Sequence, residues 1–271
     1  MATTSLREPV VAGQFYPADG EALREEVARY IGDESAPERY LGGLCPHAGY
    51  IYSGATAGAL FARLSVPATV VLLGPKHHGA GAGCAVWGAG AWRTPLGDAA
   101  VDVALADALV AAGAGFVADE AAHRPEHSLE VVLPFVQFVN PAARIVPVAL
   151  APTSLAAVRA MGEALAAAVA PRQDEVVIIV SSDMTHYESA AAAERKDRLA
   201  LDRLEALDEE GLLAVTREHA ISMCGVWPAA VALVAFRALG ASRGTLIKYA
   251  SSGDASGDYG RVVGYAAVAF A

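Results

Sequence analysis

Three short apolar runs, residues 41–45, 70–74 and 176–180, each stop abruptly in turn-forming residues, and each of those turns carries a histidine. Runs of this length, rich in Val, Leu and Ile and lacking polar alternation, predict strands buried on both faces, as in parallel sheets. The first empties into Pro46-His47-Ala48-Gly49-Tyr50. The second stops at Gly74-Pro75 and releases Lys76, His77 and His78, and the third opens into Ser181-Ser182-Asp183-Met184-Thr185-His186. Ligands of open α/β sheets bind beyond the carboxyl ends of the strands. Were the three strands parallel neighbours, His47, His77, Asp183 and His186 would meet on one rim.

Between these runs the apolar positions recur at helical spacing. Residues 19–31 read as a first surface helix, 53–64 as a helix with Ser53 as its N-cap, 98–112 as one capped by Asp98, and 154–170 as one stopped by Pro171. Residues 188–207 carry charges of alternating sign, as on a solvated helix face, and 227–239 form an apolar helix just after Cys224-Gly225. Further strands are expected at 84–87, 144–150, 245–251 and 262–270, with 92–97 as a turn and Pro134 in the first turn of a helix or at a kink. Strand, helix and strand in succession give βαβ units, so a single α/β domain spanning residues 1–271 is expected, with no linker and no internal repeat.

Composition narrows the function more than the fold. With 54% hydrophobic residues the 271-residue chain has ample core, and a net charge of −10 argues against nucleic acid or an anionic membrane as partner, because phosphate binding needs clustered Lys and Arg. The N-terminus lacks the apolar core of a signal peptide, and no apolar run reaches membrane-spanning length. Cys45, Cys84 and Cys224 are an odd set in such a chain, which points to free thiols in a reduced cytoplasmic setting.

The residues able to carry chemistry cluster at the turns. His47 sits in a tight Pro/Gly turn that suits a fixed ligand. His77 and His78 are adjacent and on extended backbone point to opposite sides, so one serves as ligand and the other as pocket wall. Asp183 and His186 have the D-x-x-H spacing that shares one face of a helical turn. Glu126 and His127 are a carboxylate and an imidazole of the kind that work as acid and base. Cys224 precedes a helix, whose dipole lowers a thiol's pKa and favours a metal-binding thiolate. No nucleophile elbow, phosphate-binding glycine loop or calcium loop accompanies them.

Taken in order, Pro46-His-Ala-Gly-Tyr-Ile-Tyr-Ser-Gly54, Gly74-Pro-Lys-His-His78, Thr94-Pro-Leu-Gly97, Glu126-His-Ser-Leu-Glu130, Ser181-Ser-Asp-Met-Thr-His186, Cys224-Gly225 and Val263-Gly-Tyr-Ala-Ala267 resemble the successive motifs of the Memo family, whose bacterial and archaeal members are called AmmeMemoRadiSam system protein B. The resemblance runs from Pro9 to the C-terminus. It implies a three-layer α/β/α domain with a mostly parallel or mixed central sheet, related to class III extradiol dioxygenases. It also implies that His47, His77 and Cys224 hold the metal, that Asp183 and His186 line the same cavity, with His186 nearest to the extradiol base, and that Phe15 supplies an aromatic wall beside Tyr50 and His78.

Extradiol enzymes complete two histidines with a glutamate, whereas a thiolate here favours Cu(I) or zinc and shifts an iron potential. The expectation is therefore a dioxygenase-like redox protein with non-haem iron or copper, zinc being possible, that takes dioxygen or a small molecule such as a phenolic. His186 steered by Asp183, together with His127 and Glu126, would handle protons. A non-catalytic metal- or peptide-binding protein and a zinc-dependent hydrolase are the alternatives. The family's name implies a pathway shared with a radical-SAM protein and an AMMECR-like protein.

Overall fold

The computed structural model describes residues 5–32 and 37–271, so the first four residues, used above to read the N-terminus, lie outside the described residues. In chain order the elements are β1 (Leu6–Arg7), α1 (Gly20–Ile31), β2 (Gly42–Cys45), α2 (Tyr50–Phe61), β3 (Thr69–Pro75), β4 (Cys84–Val86), β5 (Ala91–Thr94), β6 (Gly97–Ala100), α3 (Val103–Ala111), β7 (Val117–Ala118), α4 (Leu133–Val139), β8 (Arg144–Leu150), α5 (Leu155–Val169), a 3-10 turn (Ala170–Glu175), β9 (Val176–Ser181), β10 (His186–Glu188), α6 (Ala190–Glu205), α7 (Glu209–Glu218), α8 (Val226–Ala238), β11 (Gly244–Ser251), α9 (Gly253–Ser256) and β12 (Val262–Phe270).

The three apolar runs are β2, β9 and β3, parallel neighbours in that order, with β8 parallel beyond β3. Their side chains are buried on both faces, each contributing roughly 1.5–3 kcal/mol by removal from water. Antiparallel strands flank this centre: β12 beside β2, β10 and β11 on β12, and β4 beside β8, with β7 parallel to β4. The sheet is therefore mixed with a parallel middle. A separate small sheet joins β1, β5 and β6.

The connection β2–α2–β3 steps across β9 in one direction, and β8–α5–β9 steps back across β3 in the other. With right-handed crossovers, opposite steps place their helices on opposite faces. Gly42 and Gly43 show the two layers at one point, since consecutive strand residues face opposite ways. A β-carbon at Gly42 would lie 2.4 Å from the Phe236 ring of α8, and one at Gly43 2.7 Å from Leu60 of α2. Helices α1, α2 and α4 pack together on one side, and α3, α5, α7 and α8 on the other, which gives the three-layer α/β/α arrangement.

Several local expectations change. Helix α2 starts at Tyr50, because Tyr50 N–H finds the Phe15 carbonyl as soon as the chain clears the strand. Ser53 lies inside the helix and donates back to the Ala48 carbonyl instead of capping. Residues 92–97 belong to a hairpin in which Thr94 pairs with Gly97, whose positive φ of 122° permits the tight return. Asp98 lies in that hairpin, bridged to Arg93, and Asp102 caps α3 by accepting from Leu105 N–H. The expected helix at 188–207 begins only at Ala190, capped by Ser189, because His186–Glu188 pairs with β12. Pro134 sits in the first turn of α4, as its missing N–H allows.

Candidate metal centre

Three of the parallel strands deliver one polar side chain two residues past their ends: His47 after β2, His77 after β3 and Asp183 after β9. Cys224 enters from the turn before α8. Its Sγ stands 3.4 Å from His47 Nε2, and one ligand atom from each of His47, His77 and Cys224 lies within 4.8 Å of the others.

Hydrogen bonds behind the two imidazoles decide which nitrogen faces the cluster. Ser181 Oγ donates to the Ser128 carbonyl at 2.7 Å, so toward His47 Nδ1, also 2.7 Å away, it can only accept. His47 is thereby the Nδ1–H tautomer, with the lone pair of Nε2 turned to Cys224. His77 Nδ1 lies 2.8 Å from Glu126 Oε1, and a carboxylate only accepts, so Nε2 of His77 is likewise free. Burial lowers the pKa of His47 well below the usual imidazole value, and the neighbouring His77 and His127 lower it further. The ring is held neutral, with Nε2 able to donate to a cation.

The expected acid Glu126 is committed elsewhere. Fully buried, it accepts from His77 N–H and His77 Nδ1 and from the backbone N–H groups of His127 and Ser128. Burial pushes its carboxyl up, but the hydrogen bond and charge of His77, together with those amides, outweigh this and hold it well below the usual carboxylate range. Beneath it lies a second buried group that the local sequence pattern did not announce. Arg7 donates to Glu130 Oε2 at 2.7 Å, to the His123 carbonyl at 2.8 Å and to the Glu126 carbonyl, and its guanidinium lies 4.3 Å from the Trp92 ring. Glu130 in turn accepts from Val10 and Val11 N–H and from Tyr16 OH. The loop that orients His77 is thus clamped to the N-terminal arm.

Cys224 reverses one expectation. The helix start predicts a lowered thiol pKa, yet burial, reinforced by the Asp183 carboxylate, raises it, and the Asp183 and Gly225 amides and the Ser182 hydroxyl offset this only in part. Gly225 is needed for the approach: a β-carbon there would lie 2.5 Å from both the Ser181 carbonyl and Ser182 Cβ.

Asp183 and His186 do not share a helical turn, because Met184 and Thr185 exchange backbone hydrogen bonds with Gly264. Asp183 accepts from His47 N–H at 2.8 Å, while His186 is held by Ser222, through Oγ on its N–H at 2.7 Å and through the carbonyl on Nδ1 at 2.9 Å. Burial raises the Asp183 carboxyl, with the His47 N–H, the His186 charge and the Ala48 N–H opposing. His127 stacks on His77 with centroids 5.0 Å apart and meets the edges of His47 and Phe15. Burial lowers its pKa. Tyr50 points elsewhere than expected: its hydroxyl donates to the Val131 carbonyl and its ring packs in the core against Tyr16, Tyr30 and Phe135. His78 is exposed on the loop beside the cluster. A cavity of ≈ 590 Å³ between α5, α7 and α8 includes none of these residues.

The donor set fits a metal ion. With metal–sulfur and metal–nitrogen bonds of about 2.3 and 2.1 Å, a tetrahedral edge is about 3.5 Å, close to the observed 3.4 Å between Cys224 and His47. His77, Glu126 and His127 form a second group within the same reach, but it shares His77 and its carboxylate already serves four donors.

A model of the Memo family, described as Memo-like protein, matches residues 7–269. The chain belongs to the Memo family. It is 45% identical to a MEMO1 family protein of Methanopyrus kandleri over 97% of this chain and 98% of that one, and 38% identical to a MEMO1 family protein of Aquifex aeolicus over 98% and 99%. Its fold is similar to the crystal structure of an uncharacterized protein from Escherichia coli K12, with a TM-score of 0.61 at 17% identity, covering 86% of this chain and 100% of that one. Within this Memo family chain, the sequence pattern missed Ser181, Ser128 and Ser222 as orienting groups. Their signal was weak: a serine at a strand end has many uses, and its partner lies tens of residues away.

Proposed function

We propose that this Memo family protein is a metal-dependent redox protein in which His47, His77 and Cys224 hold iron or copper. The observation that carries the reading is the convergence of two tautomer-fixed imidazoles and one sulfur from three separate segments. A bound iron or copper ion would supply one-electron chemistry and open coordination positions for dioxygen or a small phenolic. The chain's own groups do the rest. Ser181 and Glu126 keep the two Nε2 atoms aimed. Asp183 fixes the turn that carries His47. His186, with Nδ1 held by the Ser222 carbonyl, has Nε2 available to take or give a proton at the rim. Phe15 and His127 form an aromatic wall that excludes water from one side. Among the described residues no helix is long and apolar enough to cross a membrane, and Cys45, Cys84 and Cys224 are free thiols, which accords with a reducing compartment.

Elemental analysis of protein purified without a metal-affinity tag tests this, followed by oxygen uptake with a panel of phenolics. Stoichiometric iron or copper that is lost in Cys224→Ala is expected. A protein that takes up neither metal, or that keeps it without Cys224, sinks the reading. The tetrahedral edge between Cys224 and His47 favours one second reading, a zinc-dependent hydrolase; stoichiometric zinc with chelator-sensitive esterase activity would establish it.

A further inference from the structure

A second group of polar and aromatic side chains lies beside the strand that carries His186. Between the start of α2 and the final hairpin lies a cavity of ≈ 360 Å³ lined by Tyr52, Ser252, Ser256, Asp258, Arg261 and Tyr265. Its floor is the strand segment on which Val263 pairs with His186. Arg261 projects over the Tyr187 ring at 4.8 Å, and the rings of Tyr187 and His186 are 5.8 Å apart. Among the described residues Arg261 makes no hydrogen bond and no ion pair, and meets the Tyr187 ring instead. Asp258, on the same wall, is tied into its own turn by Gly260 N–H.

Tyr187 is the more telling residue. Its φ is 62°, a left-handed backbone that disfavours any side chain larger than glycine's, and its side chain is 65% exposed. The left-handed backbone marks a bulge: β10 shifts register against β12 between His186 and Glu188, which leaves Tyr187 as the extra residue. The bulge turns its exposed ring under Arg261, next to His186. Tyr52, 42% exposed, lines the same cavity.

We propose that this cavity receives an aromatic monocarboxylate as the substrate of the metal centre, with Arg261, backed by the Tyr187 ring, taking the carboxylate and Tyr52 flanking the ligand ring. The assignment rests on the metal-centre reading above. A planar guanidinium fork matches a carboxylate with two parallel hydrogen bonds, and its position over a ring pre-organises it. One free cation with Asp258 nearby, in a chain of net charge −10, suits a single negative charge better than a phosphate dianion. The volume lies near the low end of small-molecule sites, which suits a single-ring acid. A ring held there lies alongside His186.

Binding of benzoate, phenol and phenyl phosphate to the full chain, metal-loaded and metal-stripped, tests the proposal by titration calorimetry or ligand-observed NMR. Benzoate is expected to bind about tenfold or more tightly than phenol. Arg261→Gln should erase that preference without changing metal content. Tyr187→Gly should weaken benzoate while leaving thermal unfolding unchanged or raised, since glycine adopts the backbone freely; a merely structural Tyr187 would lower it. Benzoate binding no better than phenol, a preference that survives Arg261→Gln, or tighter binding of phenyl phosphate would overturn the pocket. Loss of the metal reading alone would show as benzoate selectivity in a protein that takes up no metal; failure of the pocket alone would show as bound metal without selectivity.

Discussion

His47 and His77 occupy the same position after two parallel strands, yet they are backed in opposite ways. His47, buried to 2% exposure, leans on the neutral hydroxyl of Ser181, which donates its own hydrogen bond to the Ser128 carbonyl. His77, whose side chain is 30% exposed, leans on the Glu126 carboxylate, itself underpinned by the buried Arg7–Glu130 pair. Glu126 is as closed to solvent as Ser181, and its charge is sustained by four hydrogen-bond donors instead. A charge behind His77 can strengthen the imidazole as a donor on the side open to water. Two equal ligands by position are thus unequal by support, and the His77 side depends on long-range ionic contacts.

The largest expected effect follows from that dependence. Arg7→Met leaves Glu130 buried without its cation and should destabilise the fold by about 3–5 kcal/mol, measured by urea unfolding, with amide exchange rising first in residues 119–130. If exchange rises equally around Ser181, the two supports are not independent. Acid should act on the same loop next. Burial lowers His123 from the usual 6.5 to about 4, so between these values the unfolded chain binds the extra proton and stability is lost as pH falls. Depressed Glu126 has the same sign, its contribution being present above the ordinary glutamate pKa and lost below it. A stability profile flat from pH 7 to 4 would contradict the first, and one flat below pH 4 the second. Glu126→Gln should then weaken metal binding by about 10–100-fold in a competition titration. Ser181→Ala removes two neutral hydrogen bonds, each worth about 1 kcal/mol, and should weaken metal binding least. Equal losses from the two substitutions would erase the distinction between the supports.

Much of the frame was legible because a strand buried on both faces has no polar alternation to confuse it: 41–45, 70–74 and 176–180 became β2, β3 and β9, and 144–150 became β8. Element starts were less legible, since Ser53 and Asp98 look like caps, and only the tertiary partners, the Phe15 carbonyl and Arg93, show that neither is one. The D-x-x-H spacing of Asp183 and His186 misled for a similar reason, because pairing with Gly264 overrides the local helical option. His47 and His77 stood out by position. Cys224, a single cysteine far along the chain, was marked by its place before a helix, but its grouping with His47 and His77 came only through the ordered resemblance. Arg7 and Glu130 were invisible as a pair, being separated by most of the N-terminal half of the chain.

The close seating of Gly225 on Ser181 and Ser182 has a consequence for how the centre meets an ion. The sulfur is anchored to the same rigid frame as both imidazoles, with no slack segment between them. An incoming cation would find its coordination distances already set, and would not gather the chain around itself. Discrimination between metals would then belong to the architecture of the sheet, decided when the chain folds and before any metal arrives.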